Sequence, residues 1–278
     1  MNPVIGIIES ILTGAVRSGT PILYGTLGEI LTERAGIVNL GVEGSMVTGA
    51  CVAFITTAET QDPVLGVIMG ALAGGLASLI HAFMVVTLRA NQIASGLALM
   101  FLCLGVTSFI GRPYVGVRIT GIQTLTIPGL SDIPFLGRIM FEHDVLVYLA
   151  YLSAPLMWWF LFRTRWGLYI RAVGENKLVA FAMGVRVQVL QYSVIGIGGV
   201  FSGLGGAHLS LAYTQSWVEA MTAGRGFVAV ALTIFATWHP LRGVLGAVFL
   251  AQPLLSASRF RPRGSMCPPT IFICCHMC

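Results

Sequence analysis

Long runs without a single charge dominate the chain and set its architecture. Val64–Leu88 holds 25 residues free of Asp, Glu, Lys and Arg, Gln92–Gly111 holds 20, and Val145–Phe162 holds 18. As a helix, each run is long enough to cross a hydrocarbon core of about 30 Å. Val187–Val218 is a charge-free run of 32 residues, more than one crossing needs. Its polar and aromatic far end, His208–Trp217, belongs at an interface. Other apolar segments are shorter or interrupted. Gly44–Ala58 is short, and Ser18–Leu31 is punctuated by Pro21, Gly25 and Gly28. Gly226–Trp238 and Leu241–Leu255 flank a Trp238-His239-Pro240 break. Pro and Gly are tolerated in membrane helices when neighbours satisfy the freed backbone groups. The pattern predicts an all-α polytopic transmembrane helical bundle of about seven or eight spans, some of them short and broken.

Composition supports lipid as the solvent. The 278 residues are 56% hydrophobic and 10% charged, with a mean hydropathy of +0.85. A soluble domain carries roughly 25% charged residues. The net charge of +5 sits in short gaps between apolar runs. A nucleic-acid binder would gather it on one polar surface, so no nucleic-acid partner is expected. The start, Met1-Asn2-Pro3, lacks a basic n-region and a small-residue cleavage site, so no processing is expected.

The basic residues orient the spans. The densest basic loop, Arg163–Arg186, carries Arg163, Arg165, Arg171, Lys177 and Arg186 and is assigned to the cytoplasm. Counting backwards places Arg112–Asp144 outside, Arg89 inside, Glu59–Pro63 outside and Glu33–Glu43 inside. Counting forwards places His208–Arg225 outside and His239–Arg242 inside.

Two polar stretches carry more than packing. Gly28–Gly44 sets Glu29, Glu33, Arg34, Asn39 and Glu43 between short apolar segments. It reads either as a re-entrant element at the translocation pathway or its gate, or as an ordinary charged loop. Gly174–Val185 lies in the basic loop, and Lys177–Met183 reads as a two-turn amphipathic helix bounded by Gly174 and Gly184. With a small-residue face at Ala180 and Gly184, it reads either as a docking knob for a soluble partner or as a surface loop helix with none, and docking is the favoured reading. Asn91 and Gln92, entering the next span, either cap their helix or face a pore, and capping is the plainer role.

Several chemistries are missing. No GxxxxGK[ST] phosphate loop, HExxH or GxSxG occurs, so no catalytic residue, cofactor or ATP hydrolysis is expected in this chain. Cys51 and Cys103 sit in apolar runs, and Cys267, Cys274, Cys275 and Cys278 crowd the end without zinc spacing, so no metal is expected. No Asp or Glu lies within 64–88, 92–111 or 145–162. Self-powered pumps need buried carboxylates there, which counts against a secondary transporter, the alternative of another class.

Three stretches resemble one family. Thr20–Ala50 (TPILYGTLGEILTERAGIVNLGVEGSMVTGA), Asn91–Phe109 (NQIASGLALMFLCLGVTSF) and Thr164–Gly246, with GENKLVAFAMGV and GRGFVAVALTIFATWHPLRGVLGA, closely resemble permease subunits of bacterial nucleoside and simple-sugar ABC importers. These fall within the wider branched-chain amino acid and ribose permease family. The resemblance implies a multi-pass subunit of the bacterial inner membrane. It would form the pathway for a small polar solute, foremost nucleosides, with simple sugars or branched-chain amino acids behind. The implied partners are a cytoplasmic ATP-binding subunit, a second permease subunit, often as a heterodimer, and an external lipoprotein or periplasmic binding protein. The ATP-binding subunit would dock on a coupling helix matching Glu175, Asn176, Lys177, Ala180 and Gly184.

Residues 1–258 read as the permease domain. The tail, 259–278, departs from the pattern, with Arg259, Arg261 and Arg263, several Pro and four Cys. This composition shift is expected to reflect a frameshift or truncation, with the final spans missing.

Overall fold

A computed structural model describes residues 3–126 and 140–259. The chain forms a helical bundle: α1 Pro3–Arg34, α2 Val42–Thr60, α3 Pro63–Ala82, α4 Gln92–Gly111, α5 Val145–Arg163, α6 Arg165–Glu175, α7 Lys177–Ala182, α8 Val187–His208, α9 Arg225–Phe235 and α10 Pro240–Arg259. π-helical turns extend α3 through Phe83–Thr87 and α8 through Leu209–Tyr213. A two-stranded antiparallel ribbon, β1 Thr124–Thr126 with β2 Glu142–Asp144, caps one end. The atypical tail beyond Arg259 lies outside the described residues.

Among the described residues, four helices are long and apolar enough to cross a membrane by themselves: Pro63–Thr87, Gln92–Tyr114, Val145–Arg163 and Val187–Tyr213. They coincide with the charge-free runs of the sequence. Their outward faces are apolar, with Leu76, Phe101, Phe109, Leu152 and Phe249 of α10 exposed as lipid-facing side chains would be.

The helix that the sequence breaks is continuous. α1 passes through Pro21, Gly25 and Gly28 without interruption. The reason is its position: it packs against α8, α9, α10 and α5. Ile22, Tyr24, Leu27 and Ile30 are all fully buried. Its polar side chains bond within the helix, Thr20 Oγ1 to the Val16 carbonyl and Thr26 Oγ1 to the Ile22 carbonyl, both at 2.8 Å. A protein-walled helix tolerates residues that a lipid-walled one would not.

Glycines let the inner helices approach backbone to backbone. A Cβ on Gly28 of α1 would stand 2.5 Å from the Gly198 carbonyl oxygen of α8. A Cβ on Gly203 would meet the Gly70 carbonyl of α3 at the same distance. Close packing of this kind replaces the hydrophobic drive that lipid does not supply. Gly28→Val is expected to cost about 1–3 kcal/mol, the range for overpacking, read as a lower melting temperature of the detergent-solubilised chain.

The bundle has two distinct ends. One collects the α1–α2 turn, the Leu88–Asn91 turn, α6, α7 and the Ala236–His239 turn. Arg34 bonds the Trp238 carbonyl there, and Gln191 bonds the Ala35 carbonyl. The other end joins Glu59 to Tyr114 and the Ile119 N–H to the Gln215 carbonyl.

Candidate functional site

The Glu29–Glu43 stretch is folded back into the bundle. α1 ends at Arg34, and Gly36 turns the chain with φ +76°. Ile37 and Asn39 are then buried again. Glu29 ties this return to α1: Oε1 accepts the Asn39 N–H at 2.8 Å and Oε2 accepts the Thr32 hydroxyl at 2.9 Å. Asn39 Oδ1 in turn accepts the Gly41 N–H at 2.9 Å and leads the chain into α2. Gln92 Oε1 accepts the Val38 N–H at 3.0 Å from the start of α4. Asn91 caps α4, accepting the N–H groups of Ile93 and Ala94. Glu33 accepts the Trp238 indole N–H at the chain's turn into α10.

Glu43 makes the most demanding set of bonds. Its carboxylate is buried, 4% exposed. Oε1 accepts the Thr222 hydroxyl at 2.6 Å and the Gly224 N–H at 2.8 Å, and Oε2 accepts the Gly226 N–H at 2.6 Å. A carboxylate is thus seated on the N-terminus of α9, where the helix dipole and the free N–H groups favour an anion. The chain reaches this point through a tight turn with Ala220, Ala223 and Gly224 at positive φ. α9 has 11 residues, about 16 Å of helix, so it is a half-span starting at depth.

The second half of His208–Arg225, expected outside the membrane, packs into the bundle, burying Trp217 and Thr222 and bringing Arg225 near Glu43. Arg225 donates to the Met221 and Thr222 carbonyls and lies over the Tyr213 ring. The sequence concealed this contact because Glu43 and Gly226 are 183 positions apart. The only local sign was Gly224-Arg225-Gly226 at the head of an apolar run.

The second constellation is the loop between α5 and α8. Thr164 caps α6 by accepting the Gly167 N–H. Asn176, at φ −154°, ends α6 and caps α7 by accepting the N–H groups of Leu178 and Val179. Gly184 closes α7 at φ +84°. Gly174 does not end the preceding helix; it remains within α6. Glu175, Asn176 and Lys177 are exposed. Of the expected small-residue face, Ala180 turns into the bundle at 3% exposure, whereas Gly184 is exposed with open space beside it. The outward face consists of Leu178, Val179, Phe181 and Met183, exposed by 81%, 58%, 72% and 80%.

The two constellations touch. A Cβ on Gly174 would run into the Arg34 carbonyl, and Gly36 lies against Gly174. Arg34 and Arg171 both stack on the Phe162 ring. The return loop held by Glu29 therefore rests on the helix that carries α7. Gly174→Leu is expected to push α6 off the end of α1 at a cost of about 1–3 kcal/mol. Membrane insertion should persist while the melting temperature falls. Gly184→Asn, which keeps a left-handed cap in open space, should leave both near normal.

The chain is similar to known proteins over most of its length. Residues 10–254 match the family described as branched-chain amino acid transport system / permease component. The chain is 43% identical over 258 residues to a Haloferax volcanii protein named as a glucose ABC transporter permease, covering 91% of this chain and 78% of that protein. It is 36% identical over 257 residues to the guanosine ABC transporter permease protein of Bacillus subtilis, covering 88% and 80%. It is equally similar to the nucleoside ABC transporter permease protein of Lactococcus lactis, covering 88% and 81%. No solved structure matches the chain. With its membrane-spanning bundle, the protein belongs to the branched-chain amino acid transport system permease family and is the multi-pass permease component of an ABC transporter.

Proposed function

We propose that this chain forms the translocation pathway of an ATP-driven importer of the bacterial inner membrane and that α7 is the docking helix for a cytoplasmic ATP-binding subunit. The observation that carries this reading is the exposed apolar face of α7. Leu178, Phe181 and Met183 stand out at a basic, water-facing end, where a lone surface helix has no reason to expose them. ATP hydrolysis then belongs to the partner. A second permease subunit and an external binding protein or lipoprotein complete the importer.

Charge supports the orientation. Arg34, Arg89, Arg163, Arg165, Arg171, Lys177, Arg186 and Arg242 gather at the α6–α7 end. Among the described residues, Arg17, Arg112, Arg118 and Arg225 lie towards the other. This bias supports a cytoplasmic position for α7.

Nucleosides are the proposed solute, with simple sugars second because of the 43% identical relative. Broken-helix N-termini in transporters often receive the carboxylate of a solute. Here Glu43 already fills that position on α9, which favours a solute without a carboxylate over a branched-chain amino acid. Glu29, Glu33, Asn39, Glu43, Asn91 and Gln92 then hold the pathway's broken elements in place. The test is uptake by the assembled importer of radiolabelled guanosine, glucose and leucine. Guanosine uptake, competed by other nucleosides and not by leucine, is expected. Preferential leucine uptake would overturn the solute assignment.

A further inference from the structure

Phe162 ends α5 at the basic end of the bundle and is surrounded by cations. The Arg34 guanidinium carbon lies 5.6 Å from its ring centroid, and that of Arg171 lies 5.3 Å away. The His239 ring lies 5.6 Å away, and Arg242 follows three positions later. No carboxylate comes within ion-pair distance of Arg34, Arg171 or Arg242 among the described residues. The two acids nearby are spoken for or remote. Glu33 is bonded to the Trp238 indole, and Glu175 acts on Arg34 only through space. Like charges packed this closely repel one another. Burial first, and then Arg242 and Arg34, hold the His239 imidazole below its ordinary value, so it adds no further positive charge at neutral pH.

Donors remain available there. Arg34 spends Nε and Nη2 on the Trp238 carbonyl. Arg171 spends only Nε, on the Gly167 carbonyl, and Arg242 only Nη1, on Thr237 Oγ1. Both Nη groups of Arg171 and the Nε and Nη2 of Arg242 have no hydrogen-bond partner among the described residues. Guanidinium forks of this kind match the geometry of a phosphate.

The surroundings indicate the source of the phosphate. Trp158 packs on Phe162, with ring centroids 6.4 Å apart. Trp159, Trp166 and Tyr169, on α5 and α6, are exposed by 54%, 63% and 41%. Exposed Trp and Tyr at the end of an apolar helix mark headgroup depth. We infer that the Arg34–Arg171–Arg242 cluster around Phe162 is a binding site for the phosphate headgroup of an anionic phospholipid. It needs only membrane embedding, and stands apart from the solute and from the docking of α7. An anionic lipid here supplies the counter-charge that the fold lacks, where α1, α5, α6 and α10 converge.

The test uses the purified full chain, titrated with phosphatidylglycerol, phosphatidylcholine, inorganic phosphate or ATP. Retained lipid is counted by native mass spectrometry, and the melting temperature is recorded. Phosphatidylglycerol should bind and raise the melting temperature, while phosphatidylcholine should not. Arg171→Gln with Arg242→Gln should weaken that binding roughly 30-fold, the effect of losing two charges near a membrane surface. Arg242→Gln alone, at an exposed position, serves if the double variant does not fold, and should show a smaller loss in the same direction. Arg112→Gln with Arg118→Gln, at the other end, should leave it unchanged. Equal binding of phosphatidylcholine, or no effect of the variants, would overturn the site. Equal stabilisation by inorganic phosphate or ATP would make it a site for free phosphate and overturn the lipid assignment.

Discussion

Glu43→Ala is expected to free the N-terminus of α9 and abolish transport. The substitution removes the acceptor of three short hydrogen bonds, from the Thr222 hydroxyl and the N–H groups of Gly224 and Gly226. The Thr222 and Gly226 donors are buried, so each, once orphaned, carries a desolvation cost. The loss is expected to be about 3 kcal/mol or more. Arg225 loses its neighbouring countercharge at the same time. The damage should stay local, because the lost bonds all end on the turn at 222–226. Hydrogen exchange in 215–228 should rise steeply while α3, α4 and α8 stay protected. Glu43→Gln keeps one acceptor oxygen but points an amide N–H₂ at a backbone N–H, so it should fall between alanine and wild type. Unchanged exchange in Glu43→Ala would show that α9 is held by packing alone.

Phe181→Asp on α7 is expected to cost the importer its ATP-binding subunit. Phe181 is 72% exposed and touches nothing that the fold needs, so insertion and melting temperature should be unaffected. Burying a side chain of this size in a partner's groove is worth about 2 kcal/mol or more, and a carboxylate there adds a desolvation cost. Capture of the ATP-binding subunit should weaken at least roughly 30-fold, and solute-stimulated ATP hydrolysis should disappear. Leu178→Asp and Met183→Asp should behave alike. Ala180→Asp differs in kind: Ala180 is packed among Val173, Leu190 and Val194, and a charge there breaks the chain's own core. Full capture by the Phe181→Asp and Leu178→Asp variants would remove α7 from the interface.

The contrast between Ala180 and Phe181 shows where the sequence stops being readable. Charge-free length is a direct consequence of lipid solvation, so α4 begins at Gln92 and ends at Gly111 as the run of residues does. Caps are local too, and Asn91, Asn176 and Gly184 act where their residue types suggest. Facing is not local. The sequence shows a small side and a large side on α7, but which one packs depends on the surface offered by α8 and α6. Depth is not local either. Pro21 looks like a break only if α1 is taken to face lipid, whereas it is walled by protein. Arg225 looks like an isolated cation only if Glu43 is left out of account. The polar character of Glu29–Glu43 was visible in the sequence; that its carboxylates staple a return loop and a half-helix was not, because the partners lie at Asn39 and Thr222–Gly226.

The most direct test of the central claim is solute uptake into proteoliposomes holding this chain, with its second permease subunit, in the presence and absence of the ATP-binding subunit. Uptake should require that subunit and ATP hydrolysis, and should collapse in Phe181→Asp with the chain still inserted. Uptake that persists without the ATP-binding subunit, driven by an ion gradient alone, would contradict it.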